Sequence, residues 1–521
     1  MSKSCWMLAA ALLAGVAFAE HADYVYLPPA KADLDLLEAQ RHPLPPELVQ
    51  DLLTPARPVR VVTAFQGKNA ALKAAAAEKG ALQVAEGVAL GLDAHELFGA
   101  GQRDGETTRF VAGIASAGAL AVRLRVDVGG FSPGQTLFVT NAAGGRVHGP
   151  YTAADADVHG LWLPTVSGEE AVLVLESPDG ALPPLHVEAV SHFFTFFTEK
   201  AEKADPCPAP ADCETDPAAW EISTGEGILI IATGLGQAQC SGTLLNRAGT
   251  PDLKPLFITA HHCFEGAFIR PGGVDVFWDY RTGTCAPDGT APEVDGLPRS
   301  GCEAFLADTG TYDGKLLLLD AAPVGAYGRA WAGWDSSDPV AGDEVRGFHY
   351  PAGTPLKTCR GVVVNPSHDE CTDLLCTTAY EDQIRVNWLE GVTEGGSSGS
   401  GLLNRSNQHR LTGMLSNGNV HTCGRPERNF DNYGSFPRFF PHIACHLVEG
   451  AECTPSDNAS GCFLSRIFGS SSAAAARLRA FRDKILAASP GGRKAVDAYY
   501  AVSPGLVRVL DALDTAGVAA P

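Results

Sequence analysis

Leu256-Phe257-Ile258-Thr259-Ala260-His261-His262-Cys263 is an apolar run that stops on two histidines and a cysteine, and Thr393-Glu394-Gly395-Gly396-Ser397-Ser398-Gly399-Ser400-Gly401 is a turn built from small residues. Between them stands Tyr312-Asp313-Gly314-Lys315-Leu316-Leu317-Leu318-Leu319, an acidic residue leading into four leucines, as expected for a carboxylate at the edge of a buried strand. A serine hydroxyl is a weak nucleophile at neutral pH and needs an imidazole as base. That imidazole needs a buried carboxylate to hold it in one tautomer. The anion formed at an attacked carbonyl needs fixed backbone N–H donors, which a Gly-rich turn supplies because Gly adopts φ values that other residues avoid. His262, Asp313 and Ser398 answer these three needs, with the N–H groups of Gly396 and Ser398 as the candidate oxyanion hole. Each fragment alone is weak, since most Gly-Ser-Ser-Gly strings are linkers. The order His, Asp, Ser, at intervals of about 50 and about 85 residues, gives the combination its weight.

Further motifs surround these three. Upstream stands Cys240-Ser241-Gly242-Thr243, and downstream Asp279-Tyr280-x-x-x-Thr284-Cys285, Trp331-Ala332-Gly333-Trp334-Asp335 and Gly391-Val392-Thr393-Glu394. With Thr259-Ala260-x-His262-Cys263 they make the span from Cys207 to about Cys445 resemble the chymotrypsin-like serine proteases, and within them the bacterial lysyl endopeptidases. The resemblance implies a trypsin-like double β-barrel with the site in the cleft between barrels. It also implies the bridges Cys207–Cys423, Cys213–Cys285 and Cys240–Cys263. The last closes a loop of about 22 residues, worth on the order of 3 kcal/mol if a disulfide acts by restricting the unfolded chain. In the family's register the catalytic histidine is the one next to the cysteine, His262, which leaves His261 auxiliary or structural. Asp308 and Asp320 rival Asp313, but neither leads into the leucine run in that register. No His-Glu-x-x-His follows the paired histidines, so neither a metal nor another cofactor is expected.

Specificity is carried by fewer residues. Lysyl endopeptidases bind the basic P1 side chain with an aspartate just before a Tyr-Gly pair, and Asp431-Asn432-Tyr433-Gly434 matches it. A buried carboxylate facing a lysine ammonium is apt, because leaving either charge unpaired costs several kcal/mol. The alternative for Asp431 is a structural turn acid. Six residues before the serine, where a trypsin pocket has its aspartate, stands Val392. Ser416 occupies the position of the family's pocket histidine, no subsite tryptophan is evident, and Gly401 stands where proline is usual. The expected function is therefore a secreted serine endopeptidase acting on protein or peptide substrates through an acyl-enzyme, with Lys or another basic residue at P1. Two alternatives stay open: a trypsin-like protease with another P1 preference, and a non-catalytic binding protein on a protease fold.

The rest of the chain sets the compartment and layout. Lys3, the apolar run Trp6 to Phe18 and the closing Ala17-Phe18-Ala19 have the pattern of a signal peptide, residues 1–19, cleaved after Ala19. No later segment is long and apolar enough for a membrane span. Of 14 cysteines, 13 follow that cut, and in an oxidising compartment most should be bridged. The location expected is secreted or extracellular, or the periplasm. A net charge of −21 argues against nucleic acid as a partner, and a monomer is expected. Residues 20–203 begin with a Pro-rich arm. They continue with alternating runs such as Ala119-Leu120-Ala121-Val122-Arg123-Leu124-Arg125-Val126 and Glu170-Ala171-Val172-Leu173-Val174-Leu175-Glu176, which read as a β-sandwich. This segment is expected to be a removable pro-region or else a permanent accessory domain. Its His148, His159, His186 and His192 are scattered and suggest no chemistry. The protease domain is expected over 204–450. A short helical tail follows over 451–521, whose Cys462-Phe463-Leu464 resembles the Cys-Phe box of bacterial exported proteins. Before the nucleophile stands Ser397 rather than Asp, so a freed N-terminus has no carboxylate to pair with there. Activation is expected to proceed by removal of the N-terminal segment, with Lys200 and Lys203 in a polar stretch open to cutting.

Overall fold

A computed structural model describes residues 19–30, 49, 53, 57–76, 82–157, 159–195, 209–249, 252–265, 269–286, 289–371, 379–419 and 426–454. The expected signal peptide up to Phe18, the stretch around Lys200 and Lys203, the Cys207–Cys423 pair and the expected tail beyond Thr454, with its Cys-Phe box, lie outside the described residues.

The chain is mainly β. Glu226–Thr233 contains Ile-Leu-Ile-Ile, a composition suited to a pleated surface, and every residue of the strand Gly236–Leu245 is buried. Six antiparallel strands run in the order Gly236–Leu245, Glu226–Thr233, Val274–Phe277, Arg299–Thr309, Gly314–Leu319 and Leu256–Ala260. The last pairs back onto the first, which closes a barrel. A second barrel closes in the same way through Arg410–Gly418, Gly401–Asn404, Glu344–His349, Lys357–Cys371, Ala379–Glu390 and Phe430–Ser435. The helix Phe436–Leu447 follows, its first turn capped by the Ser435 hydroxyl, which accepts the Arg438 N–H at 3.4 Å. Phe439 from this helix packs on Gly314, at the strand that follows Asp313.

The segment before the barrels forms the expected β-sandwich. One sheet is built on Thr107–Ser116, Glu170–Ser177 and Thr136–Asn141, the other on Leu82–Asp93, His186–Phe193 and Ala121–Asp127. Phe110, Ile114, Leu124, Val126, Leu173 and Val190 are buried between them.

Two features go beyond the expectation of a removable pro-region or accessory domain. The strand Leu82–Asp93 pairs with His186–Phe193 on one side and with Gln237–Gln239 of the first barrel on the other, so sandwich and barrel share one sheet. Arg123, which alternation alone would turn to water, is fully buried at that junction. It donates to Leu163 O at 2.9 Å and to Gln237 Oε1 and Gly273 O at 3.0 Å, and it stands 3.3 Å from Asp275 Oδ1. The N-terminal arm also leaves its own domain. His21–Ala22 pairs with Trp334–Asp335 and Val25–Leu27 with Arg329–Trp331, while Asn246 Nδ2 donates to Asp23 O at 2.8 Å.

Candidate active site

Strand register brings the histidine to the aspartate. Ala260 pairs with Gly314, so the residues just past one strand lie beside the residue just before the other. His261 N–H donates to Asp313 O at 3.1 Å, and the chain then enters the short turn His262–Phe264. Asp313, fully buried, adopts φ 49°, a left-handed conformation that Asp tolerates better than most residues. Its Oδ1 accepts the His262 backbone N–H at 2.8 Å and its Oδ2 stands 2.8 Å from His262 Nδ1. With Nδ1–H directed at that carboxylate, Nε2 is left as the proton acceptor of the ring. Burial opposes the charged imidazole, but the Asp313 charge and hydrogen bond outweigh it and hold the His262 pKa above its ordinary value.

The turn that carries Ser398 is bound to the neighbouring strand Gly236–Leu245. Gly396 and Gly399 have φ of +92° and +85°. Side chains have no room at Gly399, where a Cβ would stand 2.1 Å from Thr259 Oγ1, 2.5 Å from Ser241 O and 2.8 Å from Ala260 N. The Ser241 N–H donates to Ser398 O at 2.8 Å, and Cys263 Sγ, bridged to Cys240, lies 3.9 Å from the same oxygen. Ser397 N–H and Gly399 N–H are taken by Glu394 O (3.0 Å) and Leu415 O (2.8 Å). The N–H groups of Gly396 and Ser398 have no such anchor among the described residues. Ser398 is partly exposed, whereas Ser397 is buried.

The two rivals of Asp313 have other partners. Asp308 pairs with His261 through Oδ1 and with Lys315 Nζ, 2.8 Å away, through Oδ2, a second His–Asp pair beside the first. Burial would raise the Asp308 pKa, but the hydrogen bond from His261 and the Lys315 charge pull it down to about 2. Asp320 accepts the Gly301 N–H at 3.0 Å, away from both histidines.

Asp431 is buried on the strand Phe430–Ser435 and takes two donors on Oδ2, Trp388 Nε1–H and the Thr393 hydroxyl, the latter at 2.7 Å. Its Oδ1 faces the Gly418 backbone, where a Cβ would stand 1.8 Å away. Ser416 lies at an irregularity of the neighbouring strand, between the pairs Leu415–Tyr433 and Asn417–Asn432, and its hydroxyl accepts from Asn417 Nδ2 at 3.3 Å.

Of the bridges, Cys213–Cys285 and Cys240–Cys263 are formed as the resemblance implies, and Cys445–Cys453 is a third that the sequence left unassigned. It includes both thiols of the metal-type cluster Cys445, His446 and Cys453. Cys302 and Cys359 are buried and unbridged. No helix among the described residues is long and apolar enough to cross a membrane.

Sequence patterns missed other residues at the site. His349 reaches the Ser397 hydroxyl, and Gln239 Nε2 donates to Tyr350 O beside Gly396. Leu82 of the sandwich lies against the turn at Gly396, its Cδ2 3.1 Å from where a Gly396 Cβ would be. None of the three belongs to a local motif.

Two closed six-stranded barrels, with His262 and Asp313 in turns of the first and Ser398 in a turn of the second, belong to the chymotrypsin-like class, and the protein is a serine endopeptidase. The description "Lysyl endopeptidase, C-terminal domain" matches residues 201–434, and "Lysyl endopeptidase N-terminal domain" matches residues 99–194. The lysyl endopeptidase of Pseudomonas aeruginosa is 27% identical over 363 residues, covering 66% of this chain and 75% of that one. The chain belongs to the lysyl endopeptidase family. Among solved structures, the active form of the Rv3671c protease from M. tuberculosis aligns with a TM-score of 0.32 and 12% identity, over 48% of this chain and 92% of that one. Protease Anisep from Arthrobacter nicotinovorans aligns with a TM-score of 0.28 and 16% identity, over 41% and 90%.

Proposed function

We propose that this protein is an exported endopeptidase that cuts after basic residues, lysine foremost, with His262 as base, Asp313 as its orienting carboxylate and Ser398 as nucleophile. The observation that carries the reading is the double hold of Asp313 on His262, ring and backbone, beside a turn whose Ser398 carbonyl is bound to Ser241. In this reading Ser398 attacks the scissile carbonyl and passes its proton to His262 Nε2. Asp313 stabilises the imidazolium, and the N–H groups of Gly396 and Ser398 receive the oxyanion. His262 then protonates the leaving amine, and water releases the acyl group by the same steps. The disulfides support an oxidising, extracytoplasmic location.

Asp431 is the P1 determinant in this reading. It lies between Thr393, five residues before the nucleophile, and the Gly418 backbone, and its burial favours a cationic partner over water. The contact of Leu82 with Gly396 supports a latent role for the N-terminal domain, which reaches the oxyanion turn while the chain is intact.

Digestion of an unbiased peptide library tests the whole reading. Wild-type enzyme should cut after Lys and, less often, Arg. Asp431→Asn should lose cleavage after Lys far more than cleavage after apolar residues; equal losses at all P1 types would make Asp431 a structural acid. Ser398→Ala and His262→Ala should fold and lose about 10⁴-fold or more in kcat. Turnover by folded Ser398→Ala at near the wild-type rate would overturn the triad.

A further inference from the structure

The residue before the nucleophile carries a buried hydroxyl whose partner lies on a different strand. Ser397 Oγ accepts the Glu394 N–H at 3.2 Å and stands 2.8 Å from Nδ1 of His349. Ser397 also closes the turn through its backbone: its N–H donates to Glu394 O, and its carbonyl accepts the Ser400 N–H at 3.1 Å. The hydroxyl is thus at the middle of the loop that presents Gly396 and Ser398.

His349 comes from a rigid part of the fold. It ends the strand Glu344–His349, which is paired on one side with Lys357–Cys371 and on the other with Gly401–Asn404, and it is fully buried. The next residue holds the same turn at a second point. Tyr350 N–H donates to Ser241 Oγ at 3.1 Å, and that hydroxyl donates to Gly396 O at 2.9 Å. Ser397 has no charge with which to bind a chain terminus, so the turn is oriented by its hydrogen bonds to the barrel.

We propose that His349 is a positioning residue for the nucleophile turn, acting through the Ser397 hydroxyl to keep the Gly396 and Ser398 N–H groups aimed at one point. The proposal rests on the reading of Ser398 as nucleophile. His349 touches neither substrate nor reacting atoms, and its effect falls on the transition state, where the oxyanion forms.

The test is steady-state kinetics on the peptide amide that the wild-type enzyme cuts best, with thermal unfolding of each variant alongside. His349→Ala and Ser397→Ala should each lower kcat by roughly 10- to 100-fold, the scale of a small misplacement of catalytic groups, and leave KM within about threefold. Because both break one hydrogen bond, the double variant should lose no more than about twofold beyond the worse single variant. Ser397→Thr, which keeps the hydroxyl, and His349→Gln, which keeps a hydrogen-bonding amide, should each recover most of the loss. The proposal is overturned by a His349→Ala enzyme within twofold of wild-type kcat, by losses that appear in KM, or by losses that multiply in the double variant. Should His349→Ala fail to fold, Ser397→Ala, which deletes a single oxygen, decides the matter on the same criteria. Ser398→Ala serves as the control: activity retained there sinks the nucleophile assignment itself, whereas its loss together with an unaffected His349→Ala sinks only the positioning role.

Discussion

In the proposed mechanism, Ser398 has no base to receive its proton while the His262 imidazole holds its own. Activity should therefore rise with pH through the His262 pKa, which burial lowers but Asp313 raises further, leaving it above the ordinary 6.5. The plateau is expected above roughly pH 7 to 8. Stability runs the other way. A histidine whose folded pKa is raised contributes stability that is full below its unfolded pKa and fades as pH rises through the folded value. Asp308, held down at about 2, contributes stability above the ordinary carboxylate range that is lost only as pH falls towards 2. A pH–rate profile for Asp313→Asn should show the rise displaced to lower pH and kcat reduced by about 10⁴-fold. An unmoved midpoint would mean that Asp313 does not set the His262 charge. At this scale the contact of His262 with Asp313 was legible in the sequence, because an acid leading into a leucine run and a histidine ending another apolar run have few other readings. The sequence was silent on His349, because a buried histidine supporting a loop 48 residues away leaves no local pattern.

Among the elements, the turn that carries Ser398 is constrained by close approach. Gly399→Ala places a side chain at φ +85°, worth about 1–3 kcal/mol of backbone strain, and drives its Cβ into Thr259 Oγ1, Ser241 O and Ala260 N. Gly342 offers a control, since it also has positive φ (+96°) but open space around its missing Cβ. Gly399→Ala should lower the unfolding free energy by clearly more than Gly342→Ala and reduce kcat, while Gly342→Ala should leave kcat unchanged. Equal effects on stability would show that the contact with the His262 strand is unimportant. The turn and the barrel strands were legible because glycine strings and runs such as Leu316 to Leu319 have few other readings. The strand Ala121–Asp127 was legible as a strand but not in its facing. Alternation marks Arg123 as polar and outward, yet hydrogen bonds to Leu163 O, Gln237 and Gly273 O satisfy it inside a junction between two domains. Period-two patterning records polarity, and a satisfied guanidinium is polar wherever it lies.

For the molecule as a whole, the question is whether the N-terminal domain is removed and by what. An enzyme that prefers Lys at P1 could cut after Lys203 itself, and Ser397 rules out activation by an inserted terminus paired to a carboxylate at that position. N-terminal sequencing of the secreted wild-type and Ser398→Ala proteins, from a host lacking other proteases, should find Ala204 first only in the wild type. The same terminus in both would exclude self-processing. Sequence reading could not show how the sandwich and the first barrel are joined, since pairing between Leu82–Gln83 and Ala238–Gln239 is a long-range event without a composition of its own. That shared sheet changes what a cut accomplishes. The severed halves would still hold each other along a strand edge, through Arg123 and through the arm at His21–Leu27, and would travel as one particle on a sizing column while running as two bands under denaturing conditions. The onset of activity would then follow the time a strand takes to peel from its neighbour, not the time a bond takes to break.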